Sequence, residues 1–344
     1  GLIRAQFDLL HQWSAERGEM VQAITGIPYY YRQFGYEMAV DLGGGRLCHP
    51  WSVPKLKEGQ PEPFRLRRAT EADAAVFVQC DRVLAERSLL AVPRDEALWR
   101  YEIAGRDPRS IVGADCYVIE ADPNLTGFDR HEVAHLSGFV AGALMIGKET
   151  QGTRGWMPYL ELLPGVSWLA AAPSILRGAW AAMAEIMAAQ GKTLEALQYN
   201  VGMDHPLYRV SGGRLSHVRK PYAWYIRVPD PAAFLRRIAP ALEARLAHSA
   251  AAHYTGDLRL SFYRTGVRLH FEAGALTEVV NWPPVEDDAH ASFPGLTFTQ
   301  LLFGSATVDQ LRAAFPDFML NEDEGRGLLE ALFPAQMSRF WPVA

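Results

Sequence analysis

The chain has 344 residues, of which 49% are hydrophobic and 21% are charged, and its formal net charge is −5. This length accommodates two or three domains, the composition is that of a soluble globular protein, and the acidic balance disfavours a nucleic-acid-binding surface. No apolar run reaches the ~20 residues of a membrane span, and Cys48, Cys80 and Cys116 are too isolated for a disulfide framework or a cysteine zinc site, so a cytoplasmic protein is predicted.

The first predicted segment covers residues 1–57 and begins with an amphipathic helix. A strand is predicted over 20–25, followed by a tyrosine-rich turn and by an apolar stretch over 36–42 that three glycines end. A polar linker that contains two prolines, residues 58–63, separates this segment from the next.

The second predicted segment, residues 64–228, alternates strands with helices. Thr70 caps its first helix, with Asp73 three residues further on in a variant of the capping box. One long helix lies between the predicted strands, which are placed at 64–69, 116–121, 136–146, 155–163 and 222–228. This order predicts an α/β domain with a mixed sheet.

The third predicted segment, residues 229–344, combines helices with a hairpin. A helix is predicted over 232–248, with a kink at Pro240 because proline cannot donate a helical hydrogen bond. Two alternating strands flank an Arg-Thr-Gly turn at 264–266. Two further helices and a short apolar tail are predicted after the hairpin, at 307–315, 322–333 and 337–344.

Two parts of the chain are copies of one helix-and-strand unit. Residues 2–24 align with 175–197 at a constant offset of 173, so that Gly18 matches Gly191. The copies also share a Tyr-Arg-x-x-Gly pattern, which begins at Tyr31 in the first copy and at Tyr208 in the second. Apolar helix positions match as well: Ile3, Phe7, Leu10 and Trp13 align with Leu176, Trp180, Met183 and Ile186.

The two copies differ in what precedes them. In the second copy residues 64–174 come before the repeated helix, whereas the first copy begins at residue 2. If the copies are equivalent, the first lacks its early strands and helices, and the sequence is expected to be a truncated gene product or a fragment. The alternative is that the first segment packs onto the second as an appendage, because a helix, a strand and a turn cannot bury a normal core by themselves.

Residues 26–37 read GIPYYYRQFGYE and follow the first copy of the helix and strand. This motif and the order of elements resemble the GNAT acyl-CoA acetyltransferases. In that superfamily a glycine-rich loop opens the long helix, and its backbone N–H groups bind the pyrophosphate of coenzyme A. The resemblance implies acetyl-CoA as co-substrate, no metal, and the cofactor-binding residues Gly1, Leu2, Ile3, Gly26 and Ile27.

The resemblance also assigns Tyr31 as the general acid. An amine that attacks a thioester expels a thiolate, whose reference pKa of about 8.5 compares with about 10 for a tyrosine, so full proton transfer is uphill by about 2 kcal/mol. From the residues alone, an aromatic cluster packed under a turn is the commoner role of Tyr29, Tyr30 and Tyr31. In the second copy Tyr208 persists but residues 167–174 contain no Gly-x-Gly, which predicts a structural domain.

Two GNAT-like units followed by a small α/β domain resemble the enhanced-intracellular-survival (Eis)-like acetyltransferases, whose third domain resembles the sterol carrier proteins. The resemblance implies that the carboxylate of Ala344 acts as the base and that the protein is a homo-oligomer. It implies transfer of acetyl to a small-molecule or lysine amine, impaired in this chain by the expected truncation. The alternative is a non-catalytic module in which the third domain binds a ligand or mediates oligomerisation.

One motif competes with this interpretation. The sequence His131-Glu132-Val133-Ala134-His135 matches HExxH, in which two histidines on one helix turn bind zinc. Its surroundings have a loop composition, and Ala141 stands where a third histidine ligand is expected in one class of zinc protease. No metal site is therefore predicted, and a zinc metalloprotease remains only a remote alternative.

Overall fold

The computed structural model describes residues 1–122, 139–284, 288–320 and 323–339. Its strands are β1 Gln22–Ile24, β2 Glu37–Leu42, β3 Gly45–Cys48, β4 Phe64–Arg68, β5 Ala114–Ala121, β6 Val140–Gly147, β7 Arg154–Met157, β8 Tyr159–Leu162, β9 Ala196–Tyr199, β10 His217–Arg219, β11 Tyr222–Arg227, β12 Gly256–Ser261, β13 Gly266–Glu272, β14 Ala275–Asn281, β15 Ala291–Ser292 and β16 Met319–Leu320. Its helices are α1 Leu2–Glu16, α2 Ala74–Glu86, α3 Glu96–Arg100, α4 Trp168–Ala189, α5 Pro206–Val210, α6 Pro231–Arg237, α7 Ala239–Ala247, α8 Thr297–Leu302, α9 Val308–Ala314 and α10 Asp323–Leu332. The predicted α/β fold with mixed sheets is confirmed.

Prolines divide two elements that the sequence predicts as continuous. The predicted strand 155–163 is two strands, β7 and β8, with Pro158 between them. The predicted helix 232–248 is two helices, α6 and α7, and Pro240 lies in the first turn of the second. In both places the missing N–H of proline ends one hydrogen-bond ladder and allows another to begin.

The chain forms two compact units. Unit 1 contains Gly1–Asp41 and Ala223–Ser338, and unit 2 contains Leu42–Tyr222 together with Arg339. Each unit therefore combines stretches that are distant in sequence. None of the helices in the described part of the chain has the length and apolar character of a membrane span.

Unit 2 contains two four-stranded sheets, which are joined where β7 is followed by β8. Strands β4, β5, β6 and β8 form an antiparallel sheet in that order, while β10, β3, β9 and β7 form a second, in which β7 runs parallel to β9. Pro158 joins β7 to β8 and so carries the chain from one sheet to the other. The core is built from large side chains with almost no exposure, among them Phe77, Trp99, Leu144, Ile146 and Tyr159.

Unit 1 contains two sheets. Strands β1, β11 and β2 form the smaller one, and β14, β13, β12, β15 and β16 form a five-stranded one. Phenylalanine rings pack together in the part of unit 1 that holds the larger sheet, with centroid separations between 5.0 and 6.4 Å: Phe262, Phe293, Phe298, Phe318 and Phe333.

The two repeats exchange their last strands. The second repeat match has an offset of 208 − 31 = 177, which aligns β2 with β10 and the start of β3 with the start of β11. In unit 1, β11 lies between β1 and β2, and in unit 2, β3 lies between β9 and β10. Each copy therefore contributes its last strand to the sheet of the other copy.

The repeated helices end in the same way but differ in burial. Gly18 follows α1 and Gly191 follows α4, with left-handed φ angles of 71° and 68°, which glycine adopts at helix ends without steric cost. On α4, Leu176 and Met183 are buried, whereas their matches on α1, Ile3 and Leu10, are 49% and 43% exposed. The shared apolar pattern therefore specifies the helix in both copies, but it does not specify what covers it.

Candidate active site

Tyr31 lies at the centre of an aromatic cluster in unit 1. It belongs to a 3₁₀ turn, Tyr30–Phe34, and only 9% of its surface is exposed. Its ring meets three others in tilted or edge-on contacts: those of Phe7 at 6.1 Å, Tyr30 at 5.4 Å and Tyr225 at 5.3 Å. These edge contacts fix the ring in one orientation.

Gly26 provides the close approach that the Tyr31 hydroxyl requires. The residue has a φ of 137°, and a Cβ atom built on it would come within 2.9 Å of Tyr31 Oη. A side chain at this position would therefore displace the hydroxyl as well as strain the backbone. The structure thus brings together Tyr31 and Gly26, two of the residues that the sequence selects.

Tyr225 completes the cluster and was not selected from the sequence as a site residue. Its hydroxyl oxygen accepts a hydrogen bond from the backbone N–H of Tyr29 at 2.5 Å, and Tyr29 has a left-handed φ of 59°. This bond holds the unusual turn before Tyr31. Tyr225 belongs to the exchanged strand β11, so nothing in the sequence near Tyr31 indicates its presence.

A row of polar groups lies beside the cluster. His11 Nε2 is 3.0 Å from Tyr36 Oη, and Arg227 donates a hydrogen bond to Gln22 Oε1 at 2.7 Å. Burial lowers the pKa of His11, with a further contribution from the charge of Arg227. Burial raises the pKa of Tyr36, which Arg227 partly opposes. Both shifts favour the neutral forms of these groups.

The remaining predicted cofactor residues lie at the surface of unit 1. Leu2 and Ile3 begin α1 and are 88% and 49% exposed, and Ile27, next to Gly26, is 57% exposed. Gly1 precedes α1, and a Cβ atom added there would meet no atom within 4 Å. They share a unit with Tyr31, and Phe7 on α1 contacts the Tyr31 ring.

Two other candidates lie outside the described residues. Ala344, the predicted base, is one, and the HExxH motif at 131–135, with its extension at Gly138, is the other. Within the described residues, no group of three or more His, Cys, Asp or Glu side chains could hold a metal ion.

Unit 2 carries the matching tyrosine in a different environment. The Tyr208 hydroxyl donates a hydrogen bond to the backbone carbonyl of Tyr199 at 3.0 Å, and Arg46 lies over its ring at 4.8 Å. Burial raises the pKa of Tyr208. Gly45 from the exchanged strand β3 adjoins this pair, since a Cβ there would lie 1.9 Å from Tyr199 O and 2.8 Å from Tyr208 Oη. The hydroxyl of Tyr208 is thus bound to a backbone carbonyl of its own unit.

Ser167 caps the start of α4 with its side chain. Ser167 Oγ accepts a hydrogen bond from the N–H of Ala170 at 3.3 Å, and the Trp168 ring stands edge-on to His205 at 5.0 Å. One of the N–H groups that a phosphate would need is therefore already used.

The fold matches known acetyltransferase structures over almost the whole chain. A GCN5-related N-acetyltransferase from Anabaena variabilis has a TM-score of 0.62 and 14% identity, over 98% of this chain and 75% of that one. A probable N-acyltransferase from Enterococcus faecalis has a TM-score of 0.57 and 13% identity, over 98% and 74%. Eis1 from Mycobacterium abscessus has a TM-score of 0.53 and 14% identity, over 99% and 77%.

At the level of sequence alone, similarity is below detection: no family model and no curated protein sequence matches the chain. At identities of 13–14%, it is the TM-scores of 0.53–0.62 that establish a shared fold. The chain has the fold of the GCN5-related N-acetyltransferases, the GNAT superfamily.

Proposed function

We propose that this protein is an N-acetyltransferase that moves acetyl from acetyl-CoA to a primary amine, with Tyr31 as the general acid. The observation that carries the proposal is the contrast between the matched tyrosines. The Tyr31 hydroxyl lies against Gly26 in an aromatic cluster, whereas the Tyr208 hydroxyl is hydrogen-bonded to a carbonyl of its own unit.

In the proposed reaction the amine nitrogen attacks the thioester carbonyl carbon, and the carbon–sulfur bond then breaks. The leaving thiolate takes the proton of the Tyr31 hydroxyl, and the carboxylate of Ala344 accepts the proton that the amine loses. The phenolate of Tyr31 then takes up a proton from solvent and the carboxyl group of Ala344 releases one, which restores the starting state.

Acetyl-CoA would be held by Gly1, Leu2, Ile3, Gly26 and Ile27. Open space around Gly1 and the absence of a side chain at Gly26 both suit a close backbone approach by the cofactor. The proposed organisation is a first acetyltransferase segment (1–57), a second GNAT-like domain (64–228) and a carrier-like domain (229–344), in a homo-oligomer. The acceptor is a small-molecule or lysine amine.

Substitution of the general acid tests the proposal. Tyr31→Phe is expected to lower kcat for amine acetylation by about 10²-fold or more, because thiolate departure loses its proton donor. Its effect should be smallest with an acyl donor whose thiol has a low pKa, since such a thiolate leaves without protonation. Steady-state kinetics with acetyl-CoA and with an activated aryl thioester measure both quantities.

Tyr208→Phe is the matched control. It removes the same hydroxyl from the equivalent position in unit 2 and should leave kcat within about twofold of the original. Equal losses in the two variants, or a Tyr31→Phe enzyme of full activity, would refute the assignment of Tyr31.

The competing role, ligand binding by residues 229–344, has less support. A ligand-sized apolar cavity would be needed in this part of the chain. The five phenylalanine rings pack against one another there, and the cavity of about 600 Å³ beside Asp230 and Arg264 has a partly polar lining. Binding of a fluorescent fatty acid to this protein, with its displacement by an unlabelled lipid, would reverse that judgement.

A further inference from the structure

The break between β7 and β8 opens the sheet of unit 2. Met157 and Tyr199 are the last paired residues of the parallel β7–β9 ladder, and Pro158 and Asn200 are the next residues along each strand. Pro158 has no N–H to offer, so the break presents carbonyl oxygens from both strands. A buried carbonyl without a donor destabilises a fold, so such an opening calls for a group that donates hydrogen bonds.

Arg339 supplies that group from the other end of the sequence. Its Nη2 atom donates to the carbonyls of Pro158 and Asn200, at 2.9 and 3.0 Å. Its backbone N–H donates to the carbonyl of Leu90 at 2.8 Å, next to a parallel bridge between Ala91 and Arg339. Both the side chain and the backbone of this residue are therefore bound by unit 2.

The hydrogen-bond partners of the Arg339 guanidinium are neutral carbonyls. Among the described residues, no carboxylate lies within 4.0 Å of the guanidinium, although arginines elsewhere in unit 2 pair with carboxylates, as Arg94 does with Asp81. Burial lowers the pKa of Arg339 to about 10. Burial disfavours the charge of this guanidinium and the charge of Glu161 favours it, while its hydrogen bonds within the described part of the chain go to carbonyls. This arrangement indicates a site shaped for a guanidinium.

The site belongs to the second tyrosine. Tyr208 donates its hydrogen bond to the carbonyl of Tyr199, and Arg339 donates to the carbonyl of Asn200, so the two side chains bind consecutive carbonyls at the end of β9. Tyr208 is the counterpart of Tyr31. The position that would face substrate in the second copy is thus next to a side chain from the C-terminal region.

We propose that the open sheet of unit 2 is an internal receptor for Arg339, which closes the second tyrosine site and holds the chain at this residue. The receptor itself does not depend on the activity proposed above.

Hydrogen exchange with chemical rescue tests the receptor. In Arg339→Ala, amide exchange is expected to rise at least about tenfold in peptides that contain 88–92, 155–160 and 197–201, because the segment and the two strand ends lose their common partner. Methylguanidinium at about 20 mM should restore most of the protection by binding the vacated site. Arg312→Ala, which removes an exposed arginine, should change none of these peptides and show no rescue.

The conservative variant keeps the test decisive if Arg339→Ala does not fold. Arg339→Lys retains the charge but has no guanidinium fork, and an intermediate rise in exchange is expected. Unchanged exchange in both Arg339 variants would overturn the receptor. So would protection of 155–160 and 197–201 by acetyl-CoA in the original protein, since that would show the site open to a thioester.

Discussion

The two tyrosine sites have matching sequence positions but different surroundings. In unit 1, Tyr31 packs between aromatic rings with its hydroxyl against a glycine. In unit 2, Tyr208 gives its hydrogen bond to the carbonyl of Tyr199. The equivalent strand end is therefore occupied by Gly26 in unit 1 and by Tyr199 in unit 2. The tyrosine has been kept in both copies, while the groups around it determine whether it can act on a substrate or only stabilise its unit.

The largest expected effect belongs to the site in unit 2. Gly45→Ala places a Cβ atom 1.9 Å from the carbonyl oxygen of Tyr199, at a φ of 144°. Because a backbone atom cannot move aside cheaply, the variant should lose about 4 kcal/mol or more of the stability of unit 2. Urea unfolding followed by hydrogen exchange of unit 2 peptides measures the loss.

Gly191→Ala is the control for backbone strain alone. Its φ is 68°, but an added Cβ meets no atom within 4 Å, so a loss of only about 1 kcal/mol is expected. If Gly45→Ala were no more damaging than this control, the close packing of β3 on the second tyrosine site would be wrong.

A smaller effect on stability, but a larger one on activity, is expected in unit 1. Gly26→Ala brings a Cβ atom to 2.9 Å from the Tyr31 hydroxyl, at the end of a side chain that can shift. We expect a loss of about 1–3 kcal/mol in stability together with a loss of about tenfold or more in kcat, because the hydroxyl moves from its position.

Gly18→Ala is the matched control in unit 1, with a φ of 71° and open space around it. It should lower stability by about 1 kcal/mol and leave kcat unchanged. A Gly26→Ala enzyme that loses stability but retains full kcat would show that this glycine serves the fold and not the reaction.

The smallest expected effect is a loss of folding stability at acidic pH. Burial lowers the pKa of His205 in unit 2, and Nδ1 of its ring accepts a hydrogen bond from Leu207 N–H, which protonation would remove. Glu161 opposes the shift, but the hydrogen-bond pattern suits the neutral ring. Burial also lowers the pKa of His11 in unit 1, where the ring is only partly buried.

In both cases the unfolded chain binds a proton more readily than the folded one. The stabilisation is therefore present above the unfolded pKa of about 6.5 and is lost as the pH falls below that value. Urea midpoints at about pH 7.5 and 5.5 should show a larger drop for unit 2 than for unit 1. His205→Asn should abolish most of the drop in unit 2, and a drop of unchanged size would assign it to another group.

Local patterns predicted most of the elements correctly. Alternation located β4 and the β12–β13 hairpin, and the capping box at Thr70 and Asp73 marks the turn that leads into α2. These elements follow from contacts within a few residues, which a single sequence displays. The β14 strand and the α8 helix were not predicted; β14 has four exposed positions among seven and therefore carries a weak apolar signal.

Long-range pairing could not be predicted from the sequence. Tyr31 and Gly26 are five residues apart and were found, whereas Tyr225 and Arg339 reach their sites through pairings across more than a hundred residues. The sequence shows Pro158 within a predicted strand. It does not show that the two halves of this strand join different sheets, because that depends on which distant strands lie beside them. The resemblance to acetyltransferases led to the first tyrosine, and only the structure revealed what surrounds it.

The exchange of β3 and β11 has a consequence for how such a protein can be altered by evolution or by engineering. A cut in the linker at 58–63 would leave the first part with a strand that has no sheet and the second part with a sheet interrupted at its centre. The two copies can therefore diverge residue by residue, as the two tyrosine sites have done, but they cannot be inherited, deleted or recombined one at a time.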